Sequence, residues 1–283
     1  MREVKPLVQG AVKPGAKFLE VCDLVRKEVE GRGGRLAFPT GIGVNEVTAH
    51  YAPQEGDESF FAEDDLVKVD FGVHVDGYVT DTSVTVTLKP EFDLLLEATQ
   101  RALDAAITTA RKEWRTGEIG RAIHGEAARF GFKTIENLTG HTLDRYTVHA
   151  GKSIPNIYMP HTQDLKRGDV FAIEPFLTPG NAAGYVVDAP SQTIFSIVAR
   201  KKTGDSKLDA FAESVWAERK TLPFTPRWYV GEFGRENVAQ IARKLVSKRV
   251  LRAYPTLVEA SGNPVAQFEH TMALDEGGLV VLT

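Results

Sequence analysis

The chain has 283 residues, a formal net charge of −4, 42% hydrophobic residues and 25% charged residues. This composition is typical of a globular protein with a sizeable core, and the mixed, slightly acidic charge gives no basic surface of the kind that nucleic-acid binders carry. A single cysteine excludes an internal disulfide. The sequence contains no apolar run of about 18 residues, so no membrane span is predicted, and the N-terminus lacks the apolar core of a signal peptide. We therefore expect a cytoplasmic protein that binds neither nucleic acid nor membrane.

The first predicted element is a helix. Apolar residues recur at helical spacing in residues 11–31, and Cys22 in this stretch is expected to be a small core residue. Residues 38–53 contain two prolines and predict a loop with a short strand. Residues 67–86, VKVDFGVHVDGYVTDTSVTV, then alternate as a β-hairpin does.

The hairpin prediction has a definite register. Asp76-Gly77 is the strongest turn signal, because a type I′ turn needs positive φ at both central residues. With these residues in the loop, Gly72 lies opposite Asp81 and leaves empty volume beside it, while Asp70 and Asp81 become diagonal neighbours with Cα atoms about 7 Å apart. The other face is apolar and predicts a core surface, formed by Val67, Val69, Phe71, Val73, Val84 and Val86.

The acidic face of this hairpin has two interpretations. One is the solvated side of an antiparallel sheet, which is a common arrangement. The other is a cation site, because two neighbouring aspartates repel each other unless a proton or a cation lies between them. Their geometry suits two cations bridged by a carboxylate. The hairpin alone does not decide between these interpretations.

The remaining elements predict an α+β domain. Helices are expected over residues 92–114 and 118–132, a further helical region spans about 206–250, and strands at 264–274 and 277–283 close the chain. Helical material before the last strands favours a single α+β domain, residues 1–283, with an insert at 206–250, over two domains in series. Three strand-like stretches precede the insert: 145–151, 169–176 and 182–188.

Two more carboxylates interrupt apolar stretches. Glu174 lies in DVFAIEPF and Glu269 in AQFEHTMAL, and LTGHTLDRYTVHAG adds His141 and His149. A buried carboxylate without a partner costs several kcal/mol, so each needs a salt bridge or a metal. Each histidine alone is more often a core or surface residue than a ligand. Four carboxylates and a histidine from separate strands could together form a two-metal site.

The segments KVDFGVHVDGYVTDTSVTV, TGHTLDRYTVHAG, GDVFAIEPF and AQFEHT resemble, in order and spacing, the metal-site motifs of the methionine aminopeptidases. The helical region at 206–250 is similar to the insert of the type 2 branch, and the short N-terminus is similar to the archaeal-like form. The resemblance implies the pita-bread fold, in which two pseudo-symmetric α/β halves form a curved antiparallel sheet with helices outside and metals at its centre.

The resemblance also implies a ligand set for two divalent metal ions. Asp70 would chelate one metal, Asp81 and Glu269 would bridge both, and His141 and Glu174 would complete the other site. A hydroxide bridging the metals would be the nucleophile, since metal binding lowers the pKa of water. The metal itself stays open among Co, Mn, Fe and Zn, because such ligands discriminate little between them.

The same resemblance assigns catalytic and substrate-binding residues. Glu174 would shuttle a proton, His149 would contact the scissile amide and stabilise the tetrahedral intermediate, and His50 would hold the substrate near the leaving amine. For each aromatic residue of the implied pocket, plain core packing is the alternative. Residues 177–190 match the family pattern least, at the rim of this pocket. The implied methionine pocket comprises Phe38, His50, Val148, His149, Phe176 and Tyr254.

The implied activity is removal of the initiator methionine from nascent proteins by a monomeric cytoplasmic metallopeptidase, with contact to the ribosome left open. One alternative is an Xaa-Pro peptidase or creatinase-like hydrolase of the same fold, although those usually carry an extra N-terminal domain. The other is a non-catalytic binding relative, against which five intact ligand positions argue.

Overall fold

The computed structural model describes all 283 residues. Seven helices are present: α1 (Val4–Ala11), α2 (Phe18–Glu30), α3 (Asp93–Ala110), α4 (Thr116–Arg129), α5 (Ser206–Arg219), α6 (Val230–Phe233) and α7 (Arg235–Ser247). The strands are β1 (Arg35–Leu36), β2 (Gly41–Val44), β3 (Val47–Ala49), β4 (Leu66–Val75), β5 (Tyr78–Thr87), β6 (Phe132–Thr134), β7 (Thr139–Leu143), β8 (Ser153–Pro155), β9 (Val170–Ile173), β10 (Phe176–Pro179), β11 (Val186–Ile197), β12 (Leu251–Glu259), β13 (Ala266–Gln267), β14 (His270–Asp275) and β15 (Gly278–Val281).

The strands form four antiparallel sheets. In the first, β4 pairs with β1, β2 and β5. The other three have the orders β13-β10-β6, β11-β12-β3 and β15-β14-β9-β7-β8. Helices together with antiparallel sheets confirm the predicted α+β class. None of the seven helices has both the length and the hydrophobicity that a membrane span requires.

The β4–β5 hairpin has the predicted register. Asp76 and Gly77 form its loop with φ values of 50° and 89°, and Gly72 pairs with Asp81. The valine face packs against α1 and α2 as predicted. The acidic face is also buried, since His74, Asp81 and Ser83 are each 5% exposed or less. The free edge of β5 adjoins β13 and β14: the Asp81 N–H donates to Thr271 Oγ1, and Thr85 Oγ1 donates to the carbonyl of Gln267. The interpretation of this face as a solvated sheet surface is therefore wrong.

The helix predicted at residues 11–31 begins later than expected, at Phe18, and a helix that was not predicted, α1, precedes it. The chain forms α1 and then α2, with Pro14 and Gly15 between them. Proline interrupts the helical hydrogen-bond pattern, and Gly15 has a φ of 80°. Cys22 is buried in α2, as expected. The helix α1 has two buried residues, Val4 and Val8.

The strand prediction at residues 145–151 is wrong. The strand β7 ends before it, at Leu143, and Asp144 and Thr147 close a turn in which Tyr146 has a φ of 58°. The turn conformation therefore overrides the β-propensity of the tyrosine, threonine and valine in this stretch. Strand predictions at 169–176 and 264–274 are correct in place, but each contains a break, and Glu174 and Glu269 lie in these breaks.

Three large hydrophobic clusters surround the sheets. One joins α1 and α2 to β4 and β5, the second joins α3 and α4 to β9 and β14, and the third lies among α5, α7 and the facing parts of β11 and β12. The helical region predicted at 206–250 thus packs on β11 and β12. Its description as an insert in one catalytic domain, residues 1–283, stays a proposal.

Two glycines of α4 should respond oppositely to alanine. A Cβ on Gly120 would lie 2.1 Å from the carbonyl oxygen of Ile157 and 2.7 Å from that of Pro155, whereas a Cβ on Gly125 meets nothing within 4 Å. We expect G125A to raise the free energy of unfolding by about 0.5–1 kcal/mol through reduced chain entropy. G120A should lower it by about 1–3 kcal/mol through overpacking. Urea denaturation measures both changes, and equal shifts of the same sign would contradict the close approach of α4 to residues 155–157.

Candidate metal centre and substrate cavity

Five predicted ligands from five separate segments meet at one place. Asp70 comes from β4, Asp81 from β5 and His141 from β7, while Glu174 and Glu269 come from the breaks after β9 and β13. Apart from Asp70, each is 9% exposed or less. The structure therefore brings together all five residues that the sequence predicted as ligands.

The distances within this cluster suit metal coordination. His141 Nε2 lies 3.4 Å from Glu174 Oε1 and 3.8 Å from Asp81 Oδ2. Ligand atoms of Asp81, His141 and Glu269 all lie within 4.8 Å of one another. Two ligands of one divalent ion are separated by up to about 4.4 Å, given bonds of about 2.0–2.2 Å. Small side-chain movements would bring these atoms to coordination distance.

The electrostatics of the cluster are unfavourable for the protein alone. Burial, reinforced by the negative charges of neighbouring carboxylates, raises the pKa values of Asp70, Glu174 and Glu269 well above their usual range. Burial also raises the pKa of Asp81 to about 7 and lowers that of His141 to about 3. His141 is therefore neutral, the form in which an imidazole binds a metal. A cation would relieve the repulsion among the acids.

Several buried polar atoms of the cluster lack hydrogen-bond partners. These atoms are Asp70 Oδ1, Asp81 Oδ1, Glu269 Oε1 and His141 Nδ1. Because buried polar groups in folded proteins are nearly always paired, the free carboxyl oxygens indicate a missing cationic partner. Four carboxylates and one imidazole suit hard and borderline divalent ions. The residues present therefore fit a divalent metal site.

Gln267 supports the cluster and was missed by sequence reasoning. Its Nε2 donates to Glu174 Oε2 at 3.2 Å, and its Oε1 accepts from Ser83 Oγ at 3.0 Å. The hydrogen bonds of Gln267 hold the Glu174 carboxylate in one orientation, as outer-shell partners of metal ligands commonly do. The available signal was Ser83, a polar residue on the same hairpin face as the two aspartates.

A cavity of about 230 Å³ opens onto the cluster. Asp70, Asp81, His141 and Glu174 line it, whereas Glu269 is not among the lining residues. All six residues of the predicted methionine pocket also line it: Phe38, His50, Val148, His149, Phe176 and Tyr254. Of the aromatic residues, Phe176 is only 2% exposed and also packs in a small core cluster. It therefore belongs both to the cavity wall and to the core.

Other cavity residues were not identified from the sequence. Ile194 on β11 adds an apolar wall, and Pro223, which follows α5, brings part of the helical insert to the cavity. Asn137 is held against β11 because its side chain both donates to and accepts from the backbone of Val186. Nothing local in the sequence marks these residues, since their role depends on long-range packing.

Two histidines flank the cluster. The ring of His149 lies 4.2 Å from that of His141, and the ring of His50 meets that of Tyr254 edge-on at 5.7 Å. Burial lowers the pKa of His50 to about 4, and its Nδ1 has no hydrogen-bond partner. A neutral imidazole offers one donor and one acceptor nitrogen, which suits contact with a peptide substrate.

Comparisons with known proteins agree with this geometry. Residues 2–212 match the sequence model of metallopeptidase family M24. A methionine aminopeptidase of the archaeon Pyrococcus horikoshii is 42% identical over 283 residues, covering all of this chain and 95% of that protein. The chain belongs to the M24 metallopeptidases, among the methionine aminopeptidases. Family membership and the ligand cluster together establish that it uses divalent metal.

Solved structures confirm the fold of this M24 protein. The structure of a thermophilic Arx1 superposes with a TM-score of 0.85 at 18% identity, covering 99% of this chain and 86% of that one. The methionine aminopeptidase of Thermotoga maritima gives a TM-score of 0.69 at 23% identity, with coverage of 99% and 90%. The predicted pita-bread fold is therefore confirmed.

The space beside Gly72 is filled, contrary to the expectation of empty volume. A Cβ on Gly72 would lie 2.3 Å from Cε1 of Phe38, whose ring packs over the glycine and lines the cavity. We expect G72A to push this ring into the cavity and to lower peptidase kcat/KM by about tenfold or more, consistent with the cost of misplacing a substrate-positioning group.

The matched control is G41A. Gly41 also lines the cavity, but its Cβ would meet Cβ of Asp70 at 3.5 Å, an ordinary contact. Steady-state kinetics of both variants test the packing. Equal activity of G72A and the unmodified protein would contradict the proposed contact between Phe38 and Gly72.

Proposed function

We propose that this protein removes the N-terminal methionine from nascent polypeptides, using two divalent metal ions held by Asp70, Asp81, His141, Glu174 and Glu269. The observation that carries the proposal is the opening of a small, largely apolar-walled cavity directly onto three of the four clustered carboxyl groups, those of Asp70, Asp81 and Glu174, and a neutral imidazole. Binding of an apolar side chain next to hydrolytic chemistry is what an aminopeptidase specific for methionine requires.

Bound divalent ions supply an activated water at neutral pH and polarise the scissile carbonyl. Among the protein groups, Glu174 would accept a proton and deliver it to the departing amine. This role is supported by the hydrogen bond from Gln267 to one of its oxygens and by the position of the other, 3.4 Å from His141 Nε2. His149 would donate to the oxygen that gains negative charge, and His50 would hold the peptide near the leaving nitrogen.

The side chain of methionine fits the apolar part of the cavity. Phe38, Val148, Phe176, Ile194 and Tyr254 form walls that would surround a flexible thioether and exclude water from it. Charged side chains would lose their hydration there without a partner. Selectivity for methionine would follow from this apolar lining and from the limited volume of about 230 Å³.

The proposed site of action is the cytoplasm, where the protein would act as a monomer on newly synthesised chains. The single cysteine is buried in α2, which suits a reducing compartment. Contact with the ribosome would shorten the path to emerging N-termini, and co-sedimentation with ribosomes tests it.

A metal add-back experiment tests the activity. The protein is stripped with a chelator and then given Co, Mn, Fe or Zn singly, and release of methionine from a Met-Ala-Ser peptide is followed. We expect metal-dependent cleavage of this peptide and none of Leu-Ala-Ser or Ala-Pro peptides. Cleavage of the proline peptide alone would support the Xaa-Pro alternative, and a folded protein inactive with every metal would support the non-catalytic one.

Two aspartates of one hairpin provide a test of the ligand assignment. D70N should weaken metal binding by about tenfold or more, because an amide lacks the charge that offsets the cation. D76N is the control: Asp76 is exposed in the hairpin turn, and asparagine tolerates its φ of 50°. Metal content after equilibrium dialysis measures the effect. Full metal content in D70N would show that Asp70 is not a ligand.

A further inference from the structure

A buried arginine from the helical insert reaches the wall of the substrate cavity. Arg219 is the last residue of α5 and is 3% exposed. Its Nη2 donates to the carbonyl oxygen of Ala37 at 2.9 Å and to that of Pro223 at 3.0 Å. One nitrogen thus joins two segments that are far apart along the chain.

Both acceptors belong to the walls of the cavity. Ala37 directly precedes Phe38, and Pro223 lines the cavity itself. Ala37 is held from the other side as well, because its N–H donates to the carbonyl of Gly72. Leu222 and Ala37 also share a buried cluster with Val148, a third wall residue. The hydrogen bonds of Arg219 therefore set how closely the insert approaches the Phe38 side of the cavity.

The surroundings of Arg219 are unusual for a structural arginine. No carboxylate pairs with it; its guanidinium lies 4.8 Å from the ring centroid of Trp228, and its Nε is buried without a partner. A buried charge with so few partners is costly. The C-terminus of a helix favours a cation, but that effect does not require burial or direct the side chain to Ala37 and Pro223.

We infer that Arg219 is a positioning residue for the methionine pocket, setting the distance between Phe38 and Pro223 and so the selectivity for the substrate side chain. This inference rests on the proposed function. Arg219 touches neither the substrate nor the metal ligands. Its loss should therefore change the binding of the side chain while leaving the hydrolytic chemistry nearly intact.

A groove on the outer side of Arg219 makes a rescue experiment feasible. It has a volume of about 690 Å³ and is lined by Arg219, Trp228, Glu218, Arg35 and Gly34, among others. In R219A, a free guanidinium ion could enter from this groove and donate to the carbonyls of Ala37 and Pro223. Millimolar guanidinium is far below denaturing concentrations. Rescue of substrate binding would therefore reflect occupation of the vacated site and restored hydrogen bonds to the two carbonyls.

The experiment compares R219A, R219K and the control R200A. Arg200 lies over Trp216 at the edge of the insert but is exposed and lines no part of the substrate cavity. KM and kcat for Met-Ala-Ser, relative cleavage of a Leu-Ala-Ser peptide, and calorimetric binding of L-methionine are measured on the metal-loaded proteins. We expect R219A to raise KM and the Kd for L-methionine by about tenfold, the effect of losing a charge-assisted hydrogen bond, with kcat within about twofold.

The other variants complete the test. R219K should raise KM and the Kd for L-methionine by less than R219A does, and R200A should have the values of the unmodified protein. Guanidinium should lower KM and Kd in R219A but in neither of the other variants. A folded R219A with unchanged KM and selectivity would overturn the inference, as would a loss that guanidinium does not reverse. If R219A does not fold, an R219K variant with unchanged KM would overturn it. An unmodified protein that cleaves no methionine peptide would instead refute the proposed function.

Discussion

The confinement of four carboxyl groups to one buried site is the constraint on which the rest of the structure depends. Each would be hydrated and charged in water, and here burial and mutual repulsion raise their pKa values. Such a cluster is stable only if the surrounding protein holds the acids in place against repulsion and a cation compensates their charge. The five segments that supply the ligands must therefore be fixed relative to one another before any metal binds.

Hydrogen bonds between the two halves supply this fixation. The edge of β5 that pairs with no strand is joined to the C-terminal segment by side chains that bond to backbone: Thr82 to the carbonyl of Glu269, Thr85 to that of Gln267, and Thr271 to that of Asp81. Threonine suits this position because its hydroxyl bonds to the facing backbone while its methyl group packs. The buried threonines of β5 are thus explained by contact between the halves along this edge, in addition to the metal site.

Local sequence rules predicted the parts of the site that depend on local geometry. The turn at Asp76-Gly77 determines the register of the hairpin, and hence the placement of Asp70 beside Asp81. Glu174 and Glu269 were expected within strands and lie instead in breaks between strands, where side chains escape the alternation of a pleated sheet. Pro223, Ile194 and Gln267 could not be predicted, because each reaches the site through packing between segments distant in sequence. Motif resemblance, rather than periodicity, identified the ligand set.

The candidate metal ligands and the insert residue that lines the cavity come from different parts of the chain. All candidate metal ligands come from the two halves that contain β4, β5, β7, β9 and β13, and none comes from α5, α6 or α7. The proposed insert packs on β11 and β12 and contributes to the cavity only through Pro223 and, behind it, Arg219. Changes in the insert can therefore alter the shape of the side-chain pocket without disturbing the charge balance of the acids. The candidate metal ligands and the contribution of the insert to the cavity therefore depend on different contacts.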